Sequence, residues 1–426
     1  MVDSMKMPTI SLEERTTTFN EVEIGLTKEE ALAEANRCLQ CKNPLCVGGC
    51  PASVTIPQFI KLFKEGNIDG AAKLIRERNY FPSICGRICQ HEQQCEGNCI
   101  LEKTGDPINI GGIERYIGDN AKYPTPKKTN GTKAAIIGSG PSGLTVAAHL
   151  VNAGITVTVF ERTHALGGVI KYGVPEFRLP KTIVSKDLRA LHDLGIDFEP
   201  DAKINEETIK KMAKEFDVVF MGTGVGSARH LDVPGRELKG IVNAMKFLVN
   251  LNQSEISLIS PGDKVVVVGA GYVGIDASRS AIRLGAKKVT CISVAKREDA
   301  EKAVSKQDYI DAEEEGVKFM FELTVDKFSS NKEEKVSTVH YTNGKPGEIK
   351  ADKVIVAIGQ VHDDDDAKQP LRDGVNGCIT VNNDHQTKIK NVFAAGDCVH
   401  GPKTVIEAVD KGREAAENML KYLEKK

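Results

Sequence analysis

The sequence predicts an α/β chain headed by a small α-helical region, and three observations predict it. Eight of the 11 cysteines fall between Cys38 and Cys99. The segment KAAIIGSGPSGLTVAAHLVNAGITVTVFER (133 to 162) is echoed by KVVVVGAGYVGIDASRSAIRLGAKKVTCISV (264 to 294), each reading as strand, glycine turn, helix and strand. A further strand and amphipathic helix, NVFAAGDCVHGPKTVIEAVDKGREAAENML (391 to 420), follow near the end.

Composition bounds the function. A chain of 426 residues has room for two or three domains with substantial cores. Lys plus Arg total 57 against 59 Asp plus Glu, so a net charge of −2 provides no general attraction to nucleic acid or anionic lipid. The opening MVDSMKMPTI lacks a basic segment followed by an apolar one, and no apolar run approaches the roughly 18 residues of a membrane span. A soluble cytoplasmic protein is expected, and in that reducing compartment clustered cysteines bind metal more often than they pair.

The helical region comes first. In TKEEALAEANRCL, Thr27 and Glu30 form a capping box ahead of apolar Ala31, Leu32, Ala35 and Leu39. Pro57 opens a helix over PQFIKLFKE that Gly66 stops, and DGAAKLIRERN makes another. Short helices with little core need a staple. The cysteines supply it in two groups, Cys38, Cys41, Cys46, Cys50 and Cys85, Cys89, Cys95, Cys99. Zinc would show short pairs about a dozen residues apart, often with His. Here the first group has gaps of 2, 4 and 3 residues and is followed by Pro51, a pattern closer to iron–sulfur ligation. Solitary Cys291 and Cys378 are expected to be buried as small hydrophobes, and KYPTPKKTNGTK (122 to 133) reads as a linker.

Each repeat then carries G-x-G-x-x-G between strand and helix, the dinucleotide-binding fingerprint. Gly138 and Gly269 permit the tight turn, Gly140 and Gly271 admit a pyrophosphate, and Gly143 and Gly274 let helix and strand pack closely. Two such units imply two dinucleotides. Glu161 ends the second strand of the first repeat, where a carboxylate can accept hydrogen bonds from an adenosine ribose.

Together NRCLQCKNPLCVGGCP, ICGRIC, CEGNC, PINIGGIER, GSGPSGL, GGVIKYGVPEFRLPK, MGTGVG, VIVAIGQ and AAGDCVHG resemble the small (beta) subunit family of glutamate synthase. That family includes the large subunit of NADH-dependent ferredoxin–NADP oxidoreductase and the iron–sulfur flavin subunit of dihydropyrimidine dehydrogenase. The resemblance runs from about Phe19 to the C-terminus and implies the α/β fold in full. A helical [4Fe-4S] domain (1–122) would precede two Rossmann-like domains. The NAD(P)H domain (241–360) would be inserted in an FAD domain made of 133–240 and 361–426.

By the same resemblance, Gly138, Gly140, Gly143, Glu161 and Gly168 would hold the adenosine and pyrophosphate of FAD. Asp397 would hold its ribityl side, and the Thr404-Val405 helix start would face the flavin ring. Gly269, Gly271 and Gly274 would take NAD(P)H, and no side chain need act as acid or base, because the flavin carries the chemistry. Two [4Fe-4S] clusters would interleave their ligands: Cys38, Cys41, Cys46 and Cys99 for one, Cys50, Cys89, Cys95 and Glu114 for the other, with Cys85 spare. The chain would form a hetero-oligomer, passing electrons to a larger catalytic partner or a ferredoxin-linked subunit. Glutamate synthase is the foremost assembly, with the other two family members as alternatives. A non-redox, zinc-stapled interaction protein is the competing class.

Some departures matter. No C-x2-C or C-x4-C pair occurs between Lys133 and Lys353, which argues against a dithiol reductase. Tyr272 stands where NADPH-using relatives usually have Asn. Ser293 occupies the place where an NAD enzyme commonly puts an acid, so nothing repels a 2′-phosphate, and Lys296 and Arg297 could attract one. NADPH is therefore the expected donor, with NADH as the alternative. The acidic stretch HDDDDAKQP (362 to 370) lacks calcium-loop spacing and reads as a solvated loop.

Overall fold

The computed structural model describes residues 4–253, 258–331, 333–362, 371–372 and 374–425. Residues 363–370, which contain most of the acidic stretch, lie outside them. Both repeats build five-stranded parallel sheets. The first has the order Val392–Ala394, Val218–Met221, Lys133–Ile137, Thr156–Phe160 and Ile196–Glu199. Ala134 pairs with Val157 on one side and Val218 on the other, while Val392 pairs with Val219. The second sheet runs Ile241–Asn243, Lys353–Val356, Lys264–Val268, Lys288–Ile292 and Val317–Met320. Four successive residues of Lys133–Ile137 and of Lys264–Val268 are buried, as expected of parallel strands covered on both faces. Strand Val392–Ala394 follows the second sheet in the chain yet completes the first, so the second unit is inserted in the first.

The predicted helices form where the local signals place them. Thr27 caps Lys28–Arg37: its hydroxyl accepts from Glu30 N at 3.2 Å and its own N–H donates to the Glu30 carboxylate at 2.8 Å. Helices Ile56–Lys64 and Ile68–Arg76 follow. Their apolar faces, with Phe59, Ile60, Phe63 and Ile75, bury against Ile84, Ile113 and Ile117. This core continues without a break into Ile136, Leu144 and Val157 of the first α/β unit. The expectation that the small helices have little core of their own is therefore only half the account, since they share their neighbour's.

The second unit is tied down by charge. Helix Leu12–Thr17 lies against Tyr272–Arg283, and buried Arg15 reaches Asp311, Glu314 and Glu315 at 3.4, 3.1 and 3.3 Å. Glu315 also accepts from Arg279 at 2.7 Å and Arg283 at 2.6 Å. Burial alone would raise its carboxyl, but these guanidinium groups outweigh burial and hold its pKa near about 2, against 4.5 unfolded. The folded value is the lower one, so the stabilisation is fully present above about pH 4.5 and disappears as the pH falls toward 2. The shift corresponds to about 3 kcal/mol. Glu315→Gln is expected to lower stability to urea by about that amount at pH 6 and by progressively less toward pH 3. An equal loss at both ends of that range would contradict the assignment.

Candidate functional site

A cavity of 410 Å³ opens at the C-terminal ends of the first sheet's strands. It sits where strand order reverses between Lys133–Ile137 and Val218–Met221, the place at which open α/β sheets bind ligands. Gly138, Gly140, Glu161, Gly168 and Asp397 all line it, and Met245 and Val249 of the second unit close one side. The three fingerprint glycines differ in what forbids a side chain. Gly138 has φ +100°, and a Cβ there would lie 2.5 Å from Gly222 O. At Gly143 a Cβ would come within 2.0 Å of Gly138 O, so this glycine serves helix–strand packing and stays out of the wall. At Gly140 a Cβ would meet nothing within 4 Å among the described residues. That open space is the cradle, and helix Pro141–Asn152 begins there with no side chain capping its first N–H groups. A dinucleotide pyrophosphate fits.

Glu161 lines the cavity as expected but is already engaged. One carboxylate oxygen accepts from Ser139 N (3.0 Å) and Oγ (2.6 Å), the other from Thr163 N (2.9 Å) and Oγ1 (2.8 Å). All four lone-pair positions are taken, so a ribose hydroxyl must replace one of these donors. Thr163 Oγ1 has another acceptor, Ala165 O at 3.0 Å, and can yield. Burial pushes Asp397 up to about 7, with Lys403 N donating to it at 3.3 Å. Thr404 stands at the expected helix start, where its hydroxyl and Glu407 form a capping box for Val405–Glu424, and Ala408 of this helix lines the cavity. Reading by motif also missed Gly222, Thr223 and Gly224 in the wall, although MGTGVG signals a third glycine-rich turn after a strand.

The second glycine turn repeats the geometry. Gly269 has φ +108°, a Cβ at Gly274 would lie 1.8 Å from Gly269 O, and Gly271 is open and starts Tyr272–Arg283 uncapped. Lys296 is exposed at the start of Arg297–Ala303. Arg297 is committed elsewhere, donating to Glu301 at 2.7 Å and to both oxygens of Glu313 at 2.7 and 2.9 Å. Of the two expected cations, Lys296 carries no such tie among the described residues.

Cys38, Cys41, Cys46 and Cys99 line one cavity of 260 Å³, its other walls including Ile56, Ile60, Ile108 and Ile110. This is the interleaved set, although Cys99 is 53 residues beyond Cys46. Cys50, Cys89 and Cys95 each feel the carboxylate of Glu114. Burial raises Glu114 to about 7, and Asn79 donates to it at 2.7 Å. Cys85 belongs to the same nest, hydrogen-bonded with Cys89 and 3.5 Å from Asn79 Oδ1. Burial also raises the thiols of Cys38, Cys46, Cys50 and Cys95, those of Cys46 and Cys50 to about 11, so a cationic iron site is what would make them thiolates. Among the described residues no three His, Cys, Asp or Glu side chains converge as a single metal ion requires. The first four thiols stand around a volume instead, and an iron–sulfur cluster suits their soft, apolar setting. Cys291 is buried as expected, but Cys378 is only half-buried, its Sγ 3.5 Å from His362 Nε2.

These sites define a class of protein: an NAD(P)H-dependent flavin and iron–sulfur oxidoreductase. Residues 15–125 match the family described as dihydropyrimidine dehydrogenase domain II, 4Fe-4S cluster, and 132–412 match pyridine nucleotide-disulphide oxidoreductase. The glutamate synthase [NADPH] small chain of Azospirillum brasilense is 34% identical over 97% of this chain and 93% of its own. The subunit PreT of Escherichia coli NAD-dependent dihydropyrimidine dehydrogenase is 33% identical over 95% of this chain and 97% of its own. FprA from Mycobacterium tuberculosis in complex with NADPH shares the fold at a TM-score of 0.58 and 18% identity, covering 69% of this chain and 85% of that one. The chain belongs to the glutamate synthase small chain family.

The glycine geometry separates binding from folding. Gly140→Ala is expected to leave the melting temperature nearly unchanged while lowering bound flavin severalfold, because its Cβ meets only the cradle. Gly143→Ala should destabilise the fold itself. Absorbance of purified protein and its thermal melt check both, and full flavin content in Gly140→Ala would refute the cradle.

Proposed function

We propose that the chain is the electron-input subunit of a larger enzyme, a glutamate synthase small subunit in the first instance, taking hydride from NADPH and delivering single electrons to a partner. One observation carries this reading: the two thiol sets face different surroundings. Pro51, adjacent to Cys50, lines a 220 Å³ cavity with Gly396 and Asp397, beside the first dinucleotide site. The Cys38 set is rimmed by Leu39 and Leu45, 61% and 57% exposed, and by exposed Ile100. An inner and an outer electron station in that order make a route out of the molecule.

When bound, FAD accepts a hydride and returns electrons singly, and [4Fe-4S] clusters carry single electrons. The chain's own part is to hold and orient. Gly138, Gly140, Gly168, Glu161 and Asp397 would seat FAD, with Thr163 turning aside for the ribose. Gly269, Gly271 and Gly274 would seat the nicotinamide dinucleotide, with Lys296, which is tied to no carboxylate among the described residues, reaching for a 2′-phosphate. Cys38, Cys41, Cys46 and Cys99 would hold the outer cluster, and Cys50, Cys89, Cys95 and Glu114 the inner one. The dihydropyrimidine dehydrogenase reading is favoured by PreT, whose whole length the chain nearly matches. The partner decides between them.

The purified chain should oxidise NADPH with artificial dyes and form no glutamate until a glutamate synthase large subunit is added. Because the helical region shares its core with the first unit, the interface is best probed by point changes. Leu39→Asp with Leu45→Asp should abolish assembly and leave dye reduction intact. Unaltered assembly would place the interface elsewhere, and complementation only by a pyrimidine-reducing partner would favour the second reading. Cys85→Ser should keep its iron, whereas Glu114→Ala should alter the reduced-state spectrum of one cluster; the reverse result would reassign the ligands. Lys296→Ala should weaken NADPH by about tenfold and leave NADH unchanged, Arg297→Ala doing neither. Equal effects on both nucleotides would remove Lys296 from the site.

A further inference from the structure

The stretch GVPEFRLPK, Gly173 to Lys181, lines no part of the dinucleotide cavity and instead reaches from the first unit to the second. It is a stiff loop. Leu179 N donates to Pro175 O at 3.0 Å, Lys181 N to the Glu176 carboxylate at 3.0 Å, and Lys181 Nζ to Leu179 O at 3.0 Å. From the second unit, Asn252 Nδ2 donates to Tyr172 O at 2.6 Å and to Val174 O at 3.1 Å.

Its tip seats on Tyr272–Arg283, the helix that starts at the second glycine turn. Phe177, 1% exposed, lies beneath the guanidinium groups of Arg283 and Arg279, at 3.8 and 5.0 Å. Arg178 donates to Asp276 Oδ1 at 3.1 Å, stands 3.5 Å from Asp308 Oδ2, and lies 5.5 Å over the Tyr272 ring. Positions 272, 276, 279 and 283 follow the i, i+4, i+7, i+11 spacing of a single helix stripe. Its charged members Asp276, Arg279 and Arg283 are buried beside half-buried Tyr272, which is costly unless every charge is paired, and the loop supplies the pairing for Asp276. Both Nη atoms of Arg178 are spent on acids of the second unit, so the residue is a fastener and not a phosphate ligand.

We infer that Arg178 is a positioning residue for hydride transfer: this loop clamps the helix that receives the nucleotide to the unit that holds the flavin, and so sets the approach of nicotinamide to flavin. Tyr272, which stands in place of the usual Asn, is then the flat surface on which the guanidinium rests. A fork-shaped cation can serve two acids and a ring at once; an ammonium cannot. The inference rests on the second glycine turn being the NAD(P)H site.

The test uses the full holoprotein with Arg178→Met and Arg178→Lys. In anaerobic rapid mixing with saturating NADPH, flavin reduction should slow by about tenfold or more in the Met variant, the scale of a small misplacement of reacting groups. It should slow by about threefold in the Lys variant. The affinity for NADP⁺, which cannot react, should stay within about threefold, since the glycine turn is untouched. Independently of catalysis, backbone amides of 272–276 should exchange hydrogen faster in both variants, with and without cofactors, while helix Pro141–Asn152 stays as protected as in the wild type. Flavin reduction at the wild-type rate would overturn the clamp. So would an NADP⁺ affinity that falls as far as the rate, or exchange at 272–276 that does not change. If Arg178→Met does not fold, Arg178→Lys carries the same criteria. Wild-type protein whose flavin NADPH fails to reduce would instead remove the reading of the second turn on which the clamp depends.

Discussion

The pairing of Val392–Ala394 with Val218–Met221 is the constraint on which the rest of the molecule hangs. It brings the chain back into the first sheet after the whole second unit has been built, so the two crossings between units must lie close together. Directly after this strand comes Gly396-Asp397, delivered to the mouth of the dinucleotide cavity. Beyond it, helix Val405–Glu424 packs on Pro141–Asn152 so closely that a Cβ at Gly412 would lie 2.6 Å from Ser142 O. Helix, turn and cavity wall therefore stand or fall with one short parallel pairing.

The second unit is joined to the helical region by polar contacts, in contrast to the apolar core that fuses that region to the first sheet. Glu92 accepts from Ser305 Oγ and Lys306 N, both at 3.1 Å, and Gln93 Nε2 donates to Glu301 O and Val304 O, both at 3.0 Å. These residues sit between Cys89 and Cys95. The loop that carries two thiols of the inner set thus rests directly on the second unit, so the nucleotide site and the cysteine nest share one frame. Polar junctions of this kind are directional: they hold a single orientation more strictly than they add stability.

Burial does similar work at both kinds of site. It raises the thiols of Cys38, Cys46, Cys50 and Cys95 and the carboxyl of Glu114, making each a poor anion until iron supplies positive charge, and it raises Asp397 beside the dinucleotide cavity. Low dielectric around an electron route also limits the solvent reorganisation that a moving charge demands. Among the described residues no helix is long and apolar enough to cross a membrane.

What the sequence determined by itself was local. Spacings of a few residues specify the capping box at Thr27, the two glycine turns and the strands that flank them, because a hydrogen-bonded turn or a tight backbone approach involves only near neighbours. The interleaved thiol set was legible through family motifs, not spacing, since four α-helices lie between Cys38 and Cys99. Tertiary structure alone decided the rest. Glu161 is saturated by Ser139 and Thr163, Arg297 is engaged by Glu313, Cys85 shares the nest of Cys89, and Arg15 finds Glu315 at a separation of 300 residues. Each outcome turns on which charged or polar group lies nearest in space. No periodicity encodes that, because a buried ion or thiol is governed by the neighbours that replace its water, and packing selects those neighbours from anywhere in the chain.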